Sequence, residues 1–216
     1  MKSLIIFFSV LISLLSAYGQ KDSIDFFFDE FNINLNITTL PSNNVNQKLG
    51  FGGGAYHSMM NQKRINLIFG FEYNLNRQFI NKTYEGHYAH ATDIQYSMHN
   101  LSVPFNFRYN IGRDIKIIME LGTFIDLIIA SKRRGIMHTY LPNENNNIIY
   151  NEFSFSEGAK ITGLNYGLSS GFGLKVPIKK RELITKIDYK FGLQELDSRG
   201  TYFFIRYFRL NVGIKI

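Results

Sequence analysis

The motif at residues 167–171, Gly-Leu-Ser-Ser-Gly, matches the G-x-S-x-G pattern of a hydrolase nucleophile elbow. In that motif a sharp strand-to-helix turn exposes the serine, so that its hydroxyl can attack an acyl carbon. Here apolar residues alternate with small or polar ones through the motif to Val176, which indicates one continuous strand. We therefore interpret Ser169 as a small side chain on the polar face of a strand, and we assign no catalytic residue.

A second constellation is His87, His90 and Asp93, which has the composition of a two-histidine, one-carboxylate metal site. Imidazole and carboxylate groups bind transition metals, but a solvated polar loop has the same composition. The spacing leaves metal binding open, and the sequence predicts no cofactor. Three further histidines are scattered and form no nucleophile–base–orienter set: His57, His99 and His138.

The basic run Lys132, Arg133 and Arg134 is a candidate contact for the phosphates of lipopolysaccharide, because guanidinium and ammonium groups bind phosphate strongly. A solvated loop base is the alternative. The formal net charge is +7. The N-terminal segment 1–19 has the pattern of a secretory signal, and for an exported chain this charge favours anionic lipid headgroups over nucleic acid as the partner. A charge that only aids solubility is a third interpretation.

The elements that must position these residues are strands. In the segment 115–129 the odd positions are apolar apart from Thr123, whereas the even positions include Lys116, Glu120, Gly122 and Asp126. A period of two places the two sets on opposite faces of a sheet. The same alternation predicts eight strands, in the segments 31–39, 47–59, 65–75, 101–109, 115–129, 164–176, 183–193 and 208–216.

The apolar face of the predicted strands carries far more side-chain volume than the polar face, and this decides which face lies inside the barrel. An eight-stranded barrel has an interior just wide enough to be filled by side chains. The apolar faces carry too many bulky residues for that space, whereas the opposite faces carry mostly Gly, Ser, Asn and charges. The sequence therefore predicts an all-β, eight-stranded antiparallel up-and-down transmembrane β-barrel with its apolar face in lipid. A soluble ligand-carrying barrel is the rival fold.

The predicted lumen contains charges of both signs. Buried charges are tolerated when they are paired and hydrogen-bonded, so we expect an ion-pair plug rather than an open pore. The predicted lumen charge network comprises Glu72, Arg108, Lys116, Glu120, Asp126, Lys175, Lys186, Asp188, Lys190, Arg209 and Lys215.

The connections alternate in length. Tight turns are predicted at 60–64, 110–114 and 177–182, and long Asn-rich loops at 78–93 and 132–157. In bacterial outer-membrane barrels the short turns are periplasmic and the long loops face outward. We expect the loops 78–93 and 132–157 to carry any partner specificity, since the barrel wall is constrained by lipid and lumen.

The N-terminus has the three-part pattern of a secretory signal peptide. Lys2 precedes a nearly unbroken apolar run from Leu4 to Leu15, and small residues precede Gln20. We expect cleavage near Gly19, which leaves residues 20–216 as the barrel domain. The chain has no Cys, which excludes disulfides and thiolate metal sites.

Several segments together resemble the PorT-type outer-membrane β-barrel domain over almost all of residues 20–216. These are LGFGGGAY at 49–56, IFGFEY at 68–73, LSVPFNFRY at 101–109, ELGTF at 120–124, YGL at 166–168, GFGL at 171–174, DYKFGL at 188–193 and LNVGIKI at 210–216. The resemblance implies an outer-membrane location in a Gram-negative bacterium and, for the family's namesake, participation in a protein-secretion apparatus. It implies no catalytic residues.

We therefore expect a non-enzymatic integral barrel that serves as a structural or partner-binding component of the outer membrane. Its expected partners are outer-membrane lipid, lipopolysaccharide and other envelope or secretion proteins. A narrow channel through the lumen and a lipid-modifying enzyme at the rim are the alternatives.

Overall fold

The computed structural model describes residues 27–38, 45–60, 64–142, 147–159, 161, 163–198 and 201–216; the predicted signal peptide lies outside this range. No helix in the described part of the chain is long and apolar enough to cross a membrane. The described residues form nine strands: β1 (Glu30–Thr38), β2 (Val45–Met59), β3 (Ile65–Tyr84), β4 (Ala89–Ile111), β5 (Lys116–Pro142), β6 (Ile148–Gly158), β7 (Gly163–Ile178), β8 (Arg181–Ser198) and β9 (Thr201–Lys215).

Eight of the strands described here close into a ring. Every pairing is antiparallel, and the order around the ring is β1, β2, β3, β4, β5, β7, β8, β9 and back to β1. Strand β6 lies outside the ring and pairs with β5. The prediction of an all-β, eight-stranded antiparallel barrel is therefore confirmed, with one additional strand.

In the barrel wall the apolar residues of each alternating strand point outward and the polar residues point inward, as the sequence predicts. Large apolar side chains point away from the barrel, with Ile33 72% exposed and Leu121 66% exposed, while Arg108 and Asp126 are fully buried inside. Bulky side chains thus lie outside because the interior is filled by polar ones. We call the end of the barrel at which β3, β5 and β8 begin the turn end, and the opposite end the hairpin end.

Strand β2 contributes mainly glycine to the interior. A Cβ on Gly50 would collide with the Asn36 side chain and the Leu75 carbonyl, and one on Gly52 would collide with the Asn74 side chain. Only glycine lets the neighbouring side chains approach this closely. The glycine run seen in the sequence therefore makes room for amide side chains in the lumen.

Most of the described residues in the two long segments predicted as loops belong to strands, and that part of the prediction is wrong. Residues 78–84 and 89–93 continue β3 and β4, while 132–142 and 148–157 belong to β5 and β6. Together the ends of β3 and β4 (78–84 and 89–97), the end of β5 (131–142) and β6 form a sheet beyond the ring, which we call the protruding sheet.

A β-bulge separates the ring part of β5 from its protruding part. Asn100 pairs with Ile128, whereas His99 pairs with Ala130, so Ile129 is an extra residue on β5. An extra residue reverses the in-and-out alternation that follows it. From Ser131 onward, the odd positions of β5 therefore point inward.

Candidate functional site

A buried ion-pair network fills the middle of the barrel. Glu72 on β3 accepts hydrogen bonds from Lys190 Nζ at 2.6 Å, from Arg209 Nη1 at 2.6 Å and from the Tyr56 hydroxyl at 2.8 Å. Arg209 also binds both carboxylate oxygens of Asp188, at 2.6 and 3.0 Å. These two-pronged and charge-assisted contacts compensate the loss of hydration that burial imposes on each charge.

Lys190 is enclosed on all sides. Its ammonium group donates to Ser102 Oγ at 2.6 Å, lies 3.6 Å from Asp126 Oδ1 and is 4.7 Å from the centre of the Phe124 ring. Asp126 also accepts a hydrogen bond from Asn165 at 3.3 Å. A cation over an aromatic ring and between two carboxylates occupies the space through which a solute would have to pass.

A second cluster lies toward the turn end. Arg108 donates to both carboxylate oxygens of Glu30, at 2.5 and 2.9 Å, and to Glu120 at 2.6 Å. Lys186 Nζ binds the other oxygen of Glu120 at 2.7 Å. Because β1, β4, β5 and β8 supply these residues, the cluster cross-links the wall across the lumen.

The remaining predicted lumen residues are peripheral. Lys116 and Lys175 lie 3.0 and 3.1 Å from Glu182 at the turn end, where the Lys116 side chain is 34% exposed. Lys215 lies 3.0 Å from Asp29. The structure thus brings the predicted lumen charges together inside one ring, with Lys116 at its solvated edge.

Two further layers follow toward the hairpin end. Asn36, Asn76, Gln78 and Asn100 are fully buried, and their side-chain amides have no hydrogen-bond partner among the described residues. Above them lies an apolar cluster of Ile80, Ala91, Ile94, Tyr96, Met98, Ile128, Ala159, Ile161, Ile205 and Tyr207. This cluster closes the interior where the protruding sheet begins.

Arg133 requires a correction to the predicted lipopolysaccharide contact. The β-bulge turns Arg133 inward, where its side chain is 1% exposed and binds Glu85 at 2.7 Å and Glu157 at 2.6 Å. Burial opposes the charge of Arg133, but its hydrogen bonds to Glu85 and Glu157 outweigh this and raise its pKa. Lys132 and Arg134 remain exposed on the outer face.

Aromatic rings cross the protruding sheet from β4 to β6. His90 stacks on His138 at 4.6 Å, and His138 lies 6.0 Å from the ring of Tyr150. The Tyr150 hydroxyl donates to Glu152 at 2.7 Å, so it accepts from His138 Nδ1, also at 2.7 Å. The bond to Glu152, burial and the Glu152 charge raise the pKa of Tyr150 to about 12.

The outer edge of β6 is open. Within the described residues β6 pairs with β5 alone, and it carries exposed Ile148, Tyr150 and Phe153 but no Lys, Arg or Pro. Exposed edge strands usually carry such residues because these prevent pairing with another chain. Strand β6 therefore presents unpaired backbone groups together with apolar side chains.

The residues with possible catalytic or metal chemistry are dispersed. Ser169 lies within β7 and donates to Asn106 at 2.7 Å inside the lumen, so the strand-to-helix turn of an elbow is not present there. Within the described residues, no group of three His, Asp or Glu side chains could hold a metal ion. His87, His90 and Asp93 therefore do not form the metal site that their spacing left open.

The three other histidines also lie apart. His57 stacks on Phe27 near the turn end, His99 bonds to Tyr73 at 2.6 Å, and His138 belongs to the protruding sheet. None shares a contact with another of the three.

Sequence reasoning missed several members of the network. Glu30 has the same strand parity as Asn32 and Asn34, so extending the alternation of β1 by one residue would have found it. Tyr56 and Phe124 were missed because an aromatic side chain in a polar lumen runs against the alternation rule. Their positions became clear only from the partners Glu72 and Lys190.

No family model and no curated protein matches the chain. Among solved structures it is similar to the N-terminal β-barrel domain of Pseudomonas aeruginosa OprF, with 10% identity, 88% of this chain and 98% of that chain covered, and a TM-score of 0.39. It is also similar to Neisserial surface protein A (11% identity, 87% and 95% covered, TM-score 0.42). A third is Ail, the attachment invasion locus protein of Yersinia pestis (12%, 87% and 97%, TM-score 0.34).

Proposed function

We propose that the chain is an integral outer-membrane β-barrel that anchors a partner-binding sheet outside the membrane. The observation that carries the proposal is the inverted distribution of polarity around the ring. Apolar side chains such as Ile33 and Leu121 face outward, while buried ion pairs such as Glu72–Lys190 face inward. A soluble barrel would expose that apolar surface to water, whereas a closed barrel satisfies its backbone within lipid.

The same network supports a structural rather than a transporting role. Charges of both signs, the amide layer and the apolar cluster follow one another along the lumen. A conducting pore needs continuous bore, and an eight-stranded barrel leaves little once its interior is filled. We therefore favour a closed anchor over a channel. The scattered histidines and the position of Ser169 give no support to an enzyme.

The protruding sheet is the part available for recognition. Proteins commonly bind extended segments by adding a strand to an exposed sheet edge, and β6 offers such an edge. The aromatic row from His90 to Tyr150 ends at β6, so an added strand could continue it with a further ring. By the PorT-type resemblance, the partner would be a component of a secretion apparatus, which is a proposal that rests on that resemblance alone.

Location is tested by expressing the full chain in a Gram-negative host and separating inner from outer membranes. We expect the protein in the outer membrane, and we expect faster gel migration before boiling than after it. A soluble periplasmic protein without this shift would contradict the membrane assignment.

Partner binding is tested with Phe153→Lys, which adds a charge to β6 where Phe153 is 51% exposed. The matched control is Tyr84→Lys at the end of β3, away from β6, where Tyr84 is 76% exposed. We expect cross-linking in intact cells to capture envelope proteins with the wild type and the control, but not with Phe153→Lys. Equal capture by all three would remove β6 from the proposal.

A further inference from the structure

A row of basic side chains crosses the outer surface of the barrel near the hairpin end. Lys48 on β2 pairs with Arg77 on β3, Arg77 pairs with Ser97 on β4, and Ser97 pairs with Lys132 on β5. Strands lie about 4.8 Å apart, so the row spans about 14 Å over its three steps. Arg134 lies one position further along the outer face of β5.

No carboxylate of the described residues forms an ion pair with the basic groups of this row. Lys48, Arg77 and Lys132 form no ion pair with any described residue, and Arg77 Nε is buried without a hydrogen-bond partner. Lys48 lies 5.1 Å from the centre of the Phe79 ring, and Arg134 binds the neutral Gln95 at 2.7 Å. An unpaired, half-buried guanidinium beside two ammonium groups is a site with unsatisfied affinity for anions.

The nearby carboxylates do not compensate for these charges. Glu85 and Glu157 bind Arg133 on the inner face of the wall. Asp93 lines the same shallow pocket as Arg134, but the two form no ion pair in the described part of the chain. The β-bulge sets the parity of this part of β5, so Arg133 is ion-paired inside the wall while Lys132 and Arg134 point outward with no ion pair among the described residues.

The row also lies at a defined depth. The next paired positions toward the turn end are Phe51, Leu75, His99 and Ala130, and the apolar outer face continues below them with Leu101 and Leu127. The basic side chains thus begin where the apolar band ends. In a membrane this is the level of the lipid headgroups at the hairpin end.

We propose that Lys48, Arg77, Lys132 and Arg134 form a binding site for the phosphate groups of an outer-leaflet phosphorylated glycolipid, the lipid A part of lipopolysaccharide. This proposal rests on the proposed outer-membrane location. The acyl chains of the lipid pack against the apolar band, and its phosphates meet the basic row. A bis-phosphorylated headgroup matches a row of cations better than a single phosphate does.

The test compares two variants that lose three positive charges each. Arg77→Gln, Lys132→Gln and Arg134→Gln together remove three of the four cations of the site, while Lys179→Gln, Lys180→Gln and Arg181→Gln remove the same charge from the turn end. Folded barrel in detergent is titrated with bis-phosphorylated lipid A, and bound lipid is counted by native mass spectrometry. Each near-surface cation contributes measurably to binding of anionic lipid, so we expect affinity to fall at least about tenfold in the first variant only.

Further arms separate the source of the phosphate and the cause of a failure. Dephosphorylated lipid A is expected to bind the wild type as weakly as bis-phosphorylated lipid A binds the first variant. Inorganic pyrophosphate is expected not to compete with lipid A for the wild type. Equal lipid A binding by both variants, or pyrophosphate binding as strong as that of lipid A, would overturn the proposal. Heat-modifiable mobility of each variant is measured first, and its absence in the wild type would refute the membrane location instead. If the triple variant does not fold, Lys132→Gln with Arg134→Gln replaces it.

Discussion

Glu72 and Lys190 meet in the centre of the barrel although their strands are diametrically opposed. Four steps around the eight-membered ring separate β3 from β8 in either direction, yet the two side chains lie 2.6 Å apart. A contact of this kind ties the wall together across its full diameter. Because each charge is paired with one of opposite sign, many charged side chains can be buried in an interior with little water.

The first prediction concerns the stability of that tie. Lys190→Met removes the ammonium group but retains much of the side-chain volume, so Glu72 and Asp126 lose a compensating charge. Breaking a buried pair costs about 3 kcal/mol or more in the free energy of unfolding, measured by urea denaturation of the barrel in lipid vesicles. The matched control is Lys116→Met, whose half-exposed pair with Glu182 should contribute less than about 1 kcal/mol.

A double variant shows whether the loss belongs to the pair. When Glu72→Gln is added to Lys190→Met, the total destabilisation should be smaller than the sum of the two single effects. Additive losses would mean that Glu72 and Lys190 act independently, which the 2.6 Å contact argues against.

The second prediction concerns Arg133 and the protruding sheet. Arg133→Met removes the hydrogen bonds that join β5 to Glu85 in the β3–β4 turn and to Glu157 on β6. Hydrogen bonds to a charged group contribute about 2 kcal/mol. We expect amide hydrogen exchange in 85–88 and 148–158 to accelerate at least about tenfold, while exchange in β7 and β8 stays unchanged.

Arg134→Met is the control for this experiment. Among the described residues Arg134 donates hydrogen bonds to the neutral Gln95 alone, on the outer face, so exchange in the protruding sheet should change little. If both variants accelerate exchange equally, the inward position of Arg133 is not what holds the sheet together.

The third prediction is electrical. With Lys190 between Asp126, Glu72 and Phe124, and with an apolar cluster above, the wild-type barrel should show no discrete conductance steps in planar bilayers. A porin in the same bilayers serves as the positive control. Reproducible steps from the folded protein would favour the narrow-channel alternative.

The fourth prediction is a pH dependence at the protruding sheet. Burial, together with the nearby Lys82 and His138, lowers the pKa of His90 below its ordinary value of 6.5. His90 therefore binds a proton more readily in the unfolded chain than in the folded chain. The stability contributed by His90 is complete above about pH 6.5 and decreases as the pH falls through the lower, folded pKa.

NMR titration of the imidazole signals checks this directly. His90 should titrate below pH 6.5, and exchange protection at Ala89 and His138 should decrease over the same range. The variant His90→Gln, which cannot be protonated, should lose most of that dependence. A His90 pKa above 6.5 would contradict the prediction.

The sequence was sufficient for the ring but not for the protruding sheet. Within the ring one face meets lipid and the other meets the lumen, so residues such as Leu121 and Glu120 alternate in polarity. In residues 148–154 of β6 both faces are solvated, and Tyr150, Asn151 and Glu152 are all exposed. Without two different environments there is no alternation to detect, which is why 132–157 resembled a loop.

The error at Arg133 has a separate physical cause. A period-two pattern predicts sidedness only while the register is continuous, and the extra residue Ile129 breaks it. No residue type marks that bulge in advance. The pairing of β5 with β4 was needed to see that Arg133, rather than Lys132 and Arg134, points inward.

Strand β5 exchanges neighbours along its length, because β7 pairs with residues 116–128 and β6 pairs with residues 132–142. Residues 116–128 must suit the outer environment, the lumen and two ring neighbours at once, whereas residues 132–142 must suit mainly the pairing with β4 and β6. The two halves are therefore exposed to different selection, although they form one strand. Among related sequences, substitutions and length changes should accumulate in the part of β5 after residue 131 and in β6, while the ring changes slowly.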